Sequence, residues 1–157
     1  MINFKVFFRV FFFLIINFAA LAIGAISTVE GVPSDWYINL NKAPWTPPGW
    51  VFSVAWSTIM IAFAFFMSYL WSSKENKKII LVLYIIQLAL NISWNPAFFL
   101  FHDVVSGLVI ISVLTILIGY LLIKYYPVLK LKSILIFPYF LWLLIATSLN
   151  AYIFFMN

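Results

Sequence analysis

The residues of this chain that could do acid–base chemistry are Glu30, Asp35, His102 and Asp103, and all lie between apolar runs. General acid–base or nucleophilic catalysis needs a reactive group within reach of an oriented base, and the sequence offers no such pair. The chain has no cysteine, which removes thiol nucleophiles, disulfides and zinc–thiolate sites. His102 ends an apolar run and is poorly placed to ligate a haem iron. Indoles and carboxamides are more promising. In QLALNISWNPAFF, helical spacing puts Gln87, Asn91 and Trp94 on one face. In FPYFLWLLIATSLN the same spacing aligns Tyr139, Trp142, Ala146 and Asn150, and a third segment offers Ser53, Trp56, Ser57 and Met60. Aromatic walls with a few amides suit the binding of a flat, apolar molecule rather than bond chemistry by side chains.

The elements that must position these residues are membrane helices. Of 157 residues, 66% are hydrophobic and 8% charged, against about 25% charged in a soluble domain. Apolar runs long enough to cross a bilayer lie near 6–29, 49–71, 79–101, 105–126 and 133–155. They lack the short alternating pattern of membrane strands. The expected fold is therefore an all-α integral membrane protein, one five-helix domain over 1–157 with a long structured loop at 30–48. Lys5 and Arg9 imitate the charged start of a secretory signal, but the first run is too long for one and is expected to be a retained span. A net charge of +5 raises nucleic acid as a partner, but the cations sit at segment ends with no basic face, which argues against it. The small-residue stripes Asn17, Ala20, Gly24 and Ser112, Thr115, Gly119 read as helix-packing faces, which would also suit a dimer.

Those cations orient the chain. Lys5, Arg9, Lys74, Lys77, Lys78, Lys124, Lys130 and Lys132 share one side if the chain weaves five times, and only Lys42 lies on the other. The positive-inside rule then puts the N-terminus in the cytoplasm and the C-terminus outside. At 1.5 Å per residue, Trp56 lies about 12 Å below the outer end of its helix, too deep for an interfacial belt. Trp56, Trp94 and Trp142, with Asn91 and Asn150, are expected to line a pocket open toward the outside. The loop above it contains NKAPWTPPGW, whose prolines forbid helix and hold a shape at low entropic cost. It should form a roof, presenting Trp36, Tyr37, Trp45 and the cation Lys42 to the cavity.

WYINLNKAPWTPPGWVF, QLALNISWNPAFF and PYFLWLLIATSLN resemble the three signature segments of the translocator protein family, the tryptophan-rich sensory proteins. The resemblance covers the whole chain, in the right order and spacing. It implies a bacterial five-helix bundle, usually a homodimer, that binds porphyrins such as protoporphyrin and isoquinoline- or benzodiazepine-type drugs below the first loop. By that similarity Tyr37, Pro47, Trp56, Asn91, Trp94, Trp142 and Ala146 fall on positions lining the family's pocket. The chain departs at Lys42-Ala43, where the family has Lys-Pro, at Ser53-Val54 and at Met60. No basic residue follows Tyr152, so the cholesterol-recognition pattern of animal members is missing.

Three functions follow as alternatives: a binder of tetrapyrroles acting in sensing or transport, an enzyme degrading bound porphyrin in light, or an ion-coupled transporter. The last lacks a mid-membrane Asp, Glu or His to carry a proton. Binding is the expected activity, with porphyrin as ligand, no required cofactor and no metal. The expected partners are membrane lipid and a second copy of the chain, with no nucleic acid.

Overall fold

The computed structural model describes residues 4–157, and every regular element among them is helical. The elements are α1 (Phe4–Gly31), α2 (Asp35–Asn39), α3 (Gly49–Ser72), α4 (Lys77–Asn95), α5 (Val104–Leu129) and α6 (Phe137–Met156). A π-turn, Pro96–Leu100, extends α4, and a 3-10 segment, Lys130–Ile136, joins α5 to α6. Four continuous helical stretches are long and apolar enough to cross a membrane, the last being Val104–Met156 with 53 residues. That last stretch folds back on itself. Thr115 and Thr147 hydroxyls meet at 2.9 Å, and Gly119 faces the Phe140 ring, so α5 and α6 are antiparallel.

Local chemistry sets the boundaries. The Asn76 side chain accepts from Lys78 N at 3.0 Å and starts α4. Asp103 does the same for α5, accepting from Ser106 N at 2.9 Å, and these bonds to Ser106 hold its carboxyl below the usual range. Pro48 precedes the first turn of α3, where a missing N–H costs nothing, whereas Pro96 has no N–H to donate back into α4 and marks the switch to the π-turn. Pro127 sits in the last turn of α5, which ends at Leu129 before Lys130 takes a left-handed backbone (φ 50°). The link expected at 127–132 is thus almost wholly helical, and the final helix begins at Phe137. The expected loop at 30–48 also contains α2, which Ser34 starts by accepting from Tyr37 N at 3.2 Å.

Cross-links give each helix its direction. Asn17 Nδ2 donates to Met60 O at 3.1 Å and Ser68 Oγ to Val6 O at 3.2 Å, so α1 and α3 are antiparallel. Tyr84 donates to Asn17 Oδ1 at 2.7 Å while Thr28 donates to Asn95 Oδ1 at 2.7 Å, so α1 and α4 run together. The dry core fills the half of the bundle away from α2, around Phe63, Phe66, Ile118, Tyr139 and Leu143. Phe7, Phe8, Phe11, Phe12 and Ile15 project outward from α1, a surface suited to lipid rather than water.

The small-residue stripes are spent inside this fold. Two glycines let α1 press against its neighbours: a Cβ on Gly24 would stand 2.6 Å from Asn95 Nδ2, and one on Gly31 2.5 Å from Phe99 Cβ. Gly119 admits Phe140 in the same way. A dimer would need a different surface.

Candidate ligand-binding cavity

The half of the bundle under α2 is not filled. It holds a cavity of about 610 Å³, within the range of small-molecule sites. Tyr37, Lys42, Thr46 and Pro47 form its ceiling. One wall is Leu21, Ala25 and Thr28 of α1 with Val32 just beyond its end, and another is Phe52, Ser53 and Trp56 of α3. Asn91, Trp94 and Asn95 of α4 close the third side with Phe98 and Phe99 of the π-turn, and Trp142, Ala146 and Asn150 of α6 the fourth.

Each indole is fixed differently. Trp94 stacks on Phe98 (5.5 Å between centroids, 11°), and its Nε1 donates to Asn150 Oδ1 at 2.9 Å. Trp56 meets Tyr139 edge-on at 5.9 Å, and Trp142 meets Phe52 edge-on at 5.3 Å. Neither Trp56 nor Trp142 makes a hydrogen bond through its Nε1, and that of Trp142 is buried. A buried donor without a partner is uncommon and costs stability until it is met.

Hydrogen-bond bookkeeping separates the amides. Asn150 is committed, accepting from Trp94 and donating to Val104 O at 3.4 Å. Asn95 is also committed, accepting from Thr28 and donating to Asn91 O at 3.4 Å. Asn91 spends only its nitrogen, on the Tyr139 hydroxyl at 2.7 Å, and its Oδ1 keeps no protein partner. Gln87 donates to the same hydroxyl at 2.7 Å and its Oε1 is unmet; it lies beneath the cavity, off the wall.

The ceiling carries the cation. Lys42 Nζ donates to Ile38 O at 3.1 Å and stands 4.7 Å from the centre of the Tyr37 ring. It forms no ion pair with Glu30 or Asp35. Burial pushes the Tyr37 hydroxyl above its ordinary pKa, keeping it protonated and able to donate.

Two expected ceiling residues lie elsewhere. Trp45 is 54% exposed and lies on α6, donating to Ser148 Oγ at 3.2 Å with its ring edge-on to Tyr152 at 5.4 Å. A tight turn causes this, in which Thr46 N and Oγ1 both donate to Ala43 O, at 2.9 and 2.7 Å. Trp36 is off the wall too, stacked on His102 at 4.1 Å and 11°. His102 itself has a left-handed backbone (φ 53°). Phe52, Phe98, Phe99, Asn95 and the wall along α1 were not singled out in the sequence. The i, i+4 pair Asn91 and Asn95 was the available signal for Asn95, and for that wall it was the spacing of Leu21, Ala25, Thr28 and Val32.

The loop is tied down at its far end. Asn157 Oδ1 accepts from Asn41 N at 2.8 Å while its Nδ2 donates to Asn41 O at 3.3 Å, and Asn41 Nδ2 donates to Met156 O at 3.1 Å. These bonds join the loop to the end of α6.

Known proteins are similar to this chain in sequence. The pattern of the TspO/MBR family matches residues 12–156. Protein CrtK of Rhodobacter capsulatus is 31% identical over 138 residues, covering 86% of each chain. The tryptophan-rich protein TspO of Chlorobaculum tepidum is 36% identical over 136 residues, covering 83% of this chain and 85% of its own. The human translocator protein is 32% identical over 126 residues, covering 78% of this chain and 75% of its own. A family match across nearly the full length, with relatives above 30% identity on both sides of the bacterial–animal divide, makes this chain a member of the TspO/MBR family.

Proposed function

We propose that this is a five-span membrane protein that binds a flat, apolar tetrapyrrole such as protoporphyrin in the cavity beneath α2, and isoquinoline- or benzodiazepine-type molecules in the same space. The observation that carries this reading is the cavity itself, walled by Trp56, Trp94 and Trp142 and capped by an unpaired Lys42. Ring faces suit the macrocycle, and a cation at the ceiling suits carboxylates on one edge of it. Among the wall groups, Asn91 Oδ1 and the Trp56 and Trp142 N–H groups have no protein partner. Sensing or transport of the bound molecule is the role this supports, in a bacterial membrane with the N-terminus cytoplasmic and the roof outside. Self-association as a homodimer rests on the family resemblance.

The test is titration of the purified protein with protoporphyrin in the dark, followed by tryptophan fluorescence and then by illumination. Saturable quenching with one molecule per chain is expected, and the bound absorbance should bleach no faster than in detergent alone. Unsaturable quenching would sink the reading. Faster bleaching to a distinct product, lost in Trp56→Phe or Trp142→Phe, would make the protein a porphyrin-degrading enzyme instead.

A further inference from the structure

The end of the bundle away from the cavity brings together two cations from distant parts of the chain. Arg9 of α1 donates through Nη1 to Ser72 Oγ, and Ser72 is itself fixed by donating to Ser68 O at 2.7 Å. Lys132, from the 3-10 segment, holds its ammonium 4.2 Å from the centre of the Tyr69 ring. Tyr69 and Ser72 are three residues apart on α3 and so share one helix face. Both cations are therefore held over a single face at the inner end of α3.

Neither is neutralised. Among the described residues Arg9 and Lys132 form no ion pair, and Glu75 is the one acid at this end of the bundle. Among the described residues Arg9 spends one of its five N–H donors, on Ser72, and Lys132 spends none of its three. Lys77 and Lys124 are engaged differently, donating to Ser73 O and to Tyr120 Oη, the latter at 2.8 Å. Toward the middle of the bilayer the same α3 face continues through Phe65 to Ile61, which is exposed, as is Phe12 one turn along α1 from Arg9. A polar, doubly cationic head thus sits at the end of an apolar track.

We propose that Arg9, Ser72, Tyr69 and Lys132 form a site for the phosphate of an anionic phospholipid, whose acyl chains lie along α1 and α3. The guanidinium grips phosphate oxygens in its planar fork, and the ammonium adds a second charge. The Ser72 and Tyr69 contacts aim both cations before the lipid arrives, which lowers the cost of ordering them on binding. The site is at the other end of the bundle from the tetrapyrrole cavity and does not depend on it.

The test uses the delipidated full-length protein titrated with phosphatidylglycerol, phosphatidylcholine or inorganic phosphate, with lipid retention read by native mass spectrometry. Phosphatidylglycerol should bind in preference to phosphatidylcholine. Arg9→Gln and Lys132→Gln should each cost about fivefold, the worth of one cation beside a lipid phosphate, and together remove the preference. Lys74→Gln with Lys78→Gln removes the same charge from elsewhere at this end and should leave the preference intact. Equal losses in that control would reduce the effect to the diffuse positive field and overturn the site. Displacement of the lipid by low-millimolar inorganic phosphate would overturn the lipid assignment in favour of a soluble phosphate. Circular dichroism confirms folding of each variant, and equal binding of both lipids by the unaltered protein would end the proposal.

Discussion

Asn91 Nδ2 and Gln87 Nε2, one helical turn apart on α4, both reach the Tyr139 hydroxyl oxygen at 2.7 Å. One phenol oxygen on α6 therefore accepts from two buried amide nitrogens and fixes the floor of the cavity. Tyr139→Phe should destabilise the protein by about 1–3 kcal/mol for each amide left stranded. Thermal unfolding in detergent measures it. Adding Gln87→Leu should recover part of the loss, because one of the stranded groups is then gone. No recovery would mean the ring's packing, not its hydroxyl, carries the effect.

Trp56 and Trp142 should dominate ligand affinity. Central aromatic contacts often cost about 2 kcal/mol or more on truncation, so each Trp→Ala variant should weaken protoporphyrin at least about tenfold. Trp50, 69% exposed and off the cavity wall, is the matched control. A Trp50→Ala loss as large as the other two would place the ligand elsewhere.

Lys42 should distinguish ligands by charge. With no carboxylate partner among the described residues, it is available to meet an acidic edge. Lys42→Ala should weaken protoporphyrin more than a neutral isoquinoline, and the difference should shrink as salt rises. The same loss for both ligands would assign Lys42 to holding the roof through Ile38 and Tyr37.

The clasp between Asn41 and Asn157 should govern residence time. Asn157→Ala removes its exchanged bonds to Asn41, and each intramolecular hydrogen bond is worth about 1 kcal/mol. Release of bound porphyrin in a stopped-flow chase should quicken by up to about thirtyfold, the worth of two such bonds. Unchanged release would show that the roof does not open at that end.

Topology can be tested without a ligand. A C-terminal reporter active only outside the cytoplasm should work, and an N-terminal one should not. The alternating directions of α1, α3, α4, α5 and α6 require the two ends of an odd-numbered bundle to lie on opposite sides.

Helical register made much of the cavity legible in advance. Asn91 and Trp94, like Trp142, Ala146 and Asn150, fall on shared faces by spacing alone, and neighbouring helices enforce that spacing. The loop was less readable. A single turn at Ala43–Thr46 points Trp45 outward and leaves Pro47 on the wall, and no periodicity encodes that choice. Phe98 and Phe99 were hidden for a related reason. The π-turn after Pro96 adds a residue to the helical repeat, so counting by α-helical spacing cannot predict where those rings face. Partner choice was also beyond spacing: Asn150 has the right register, but Trp94 and Val104 take its side chain.

The bare backbone of α1 at Gly24 and Gly31 makes that helix an adjustable jaw. Leu21, Ala25 and Thr28 ride on it and Val32 follows it, so the gap between jaw and opposite wall is set by how closely α1 seats on Asn95 and Phe99. A single methyl at either glycine would act as a wedge against the wall residue Asn95 or Phe99, reshaping the aperture from a position outside the lining. Relatives could thus trade narrow guests for bulky ones by one small substitution outside the lining, and a comparison restricted to wall residues would miss the cause.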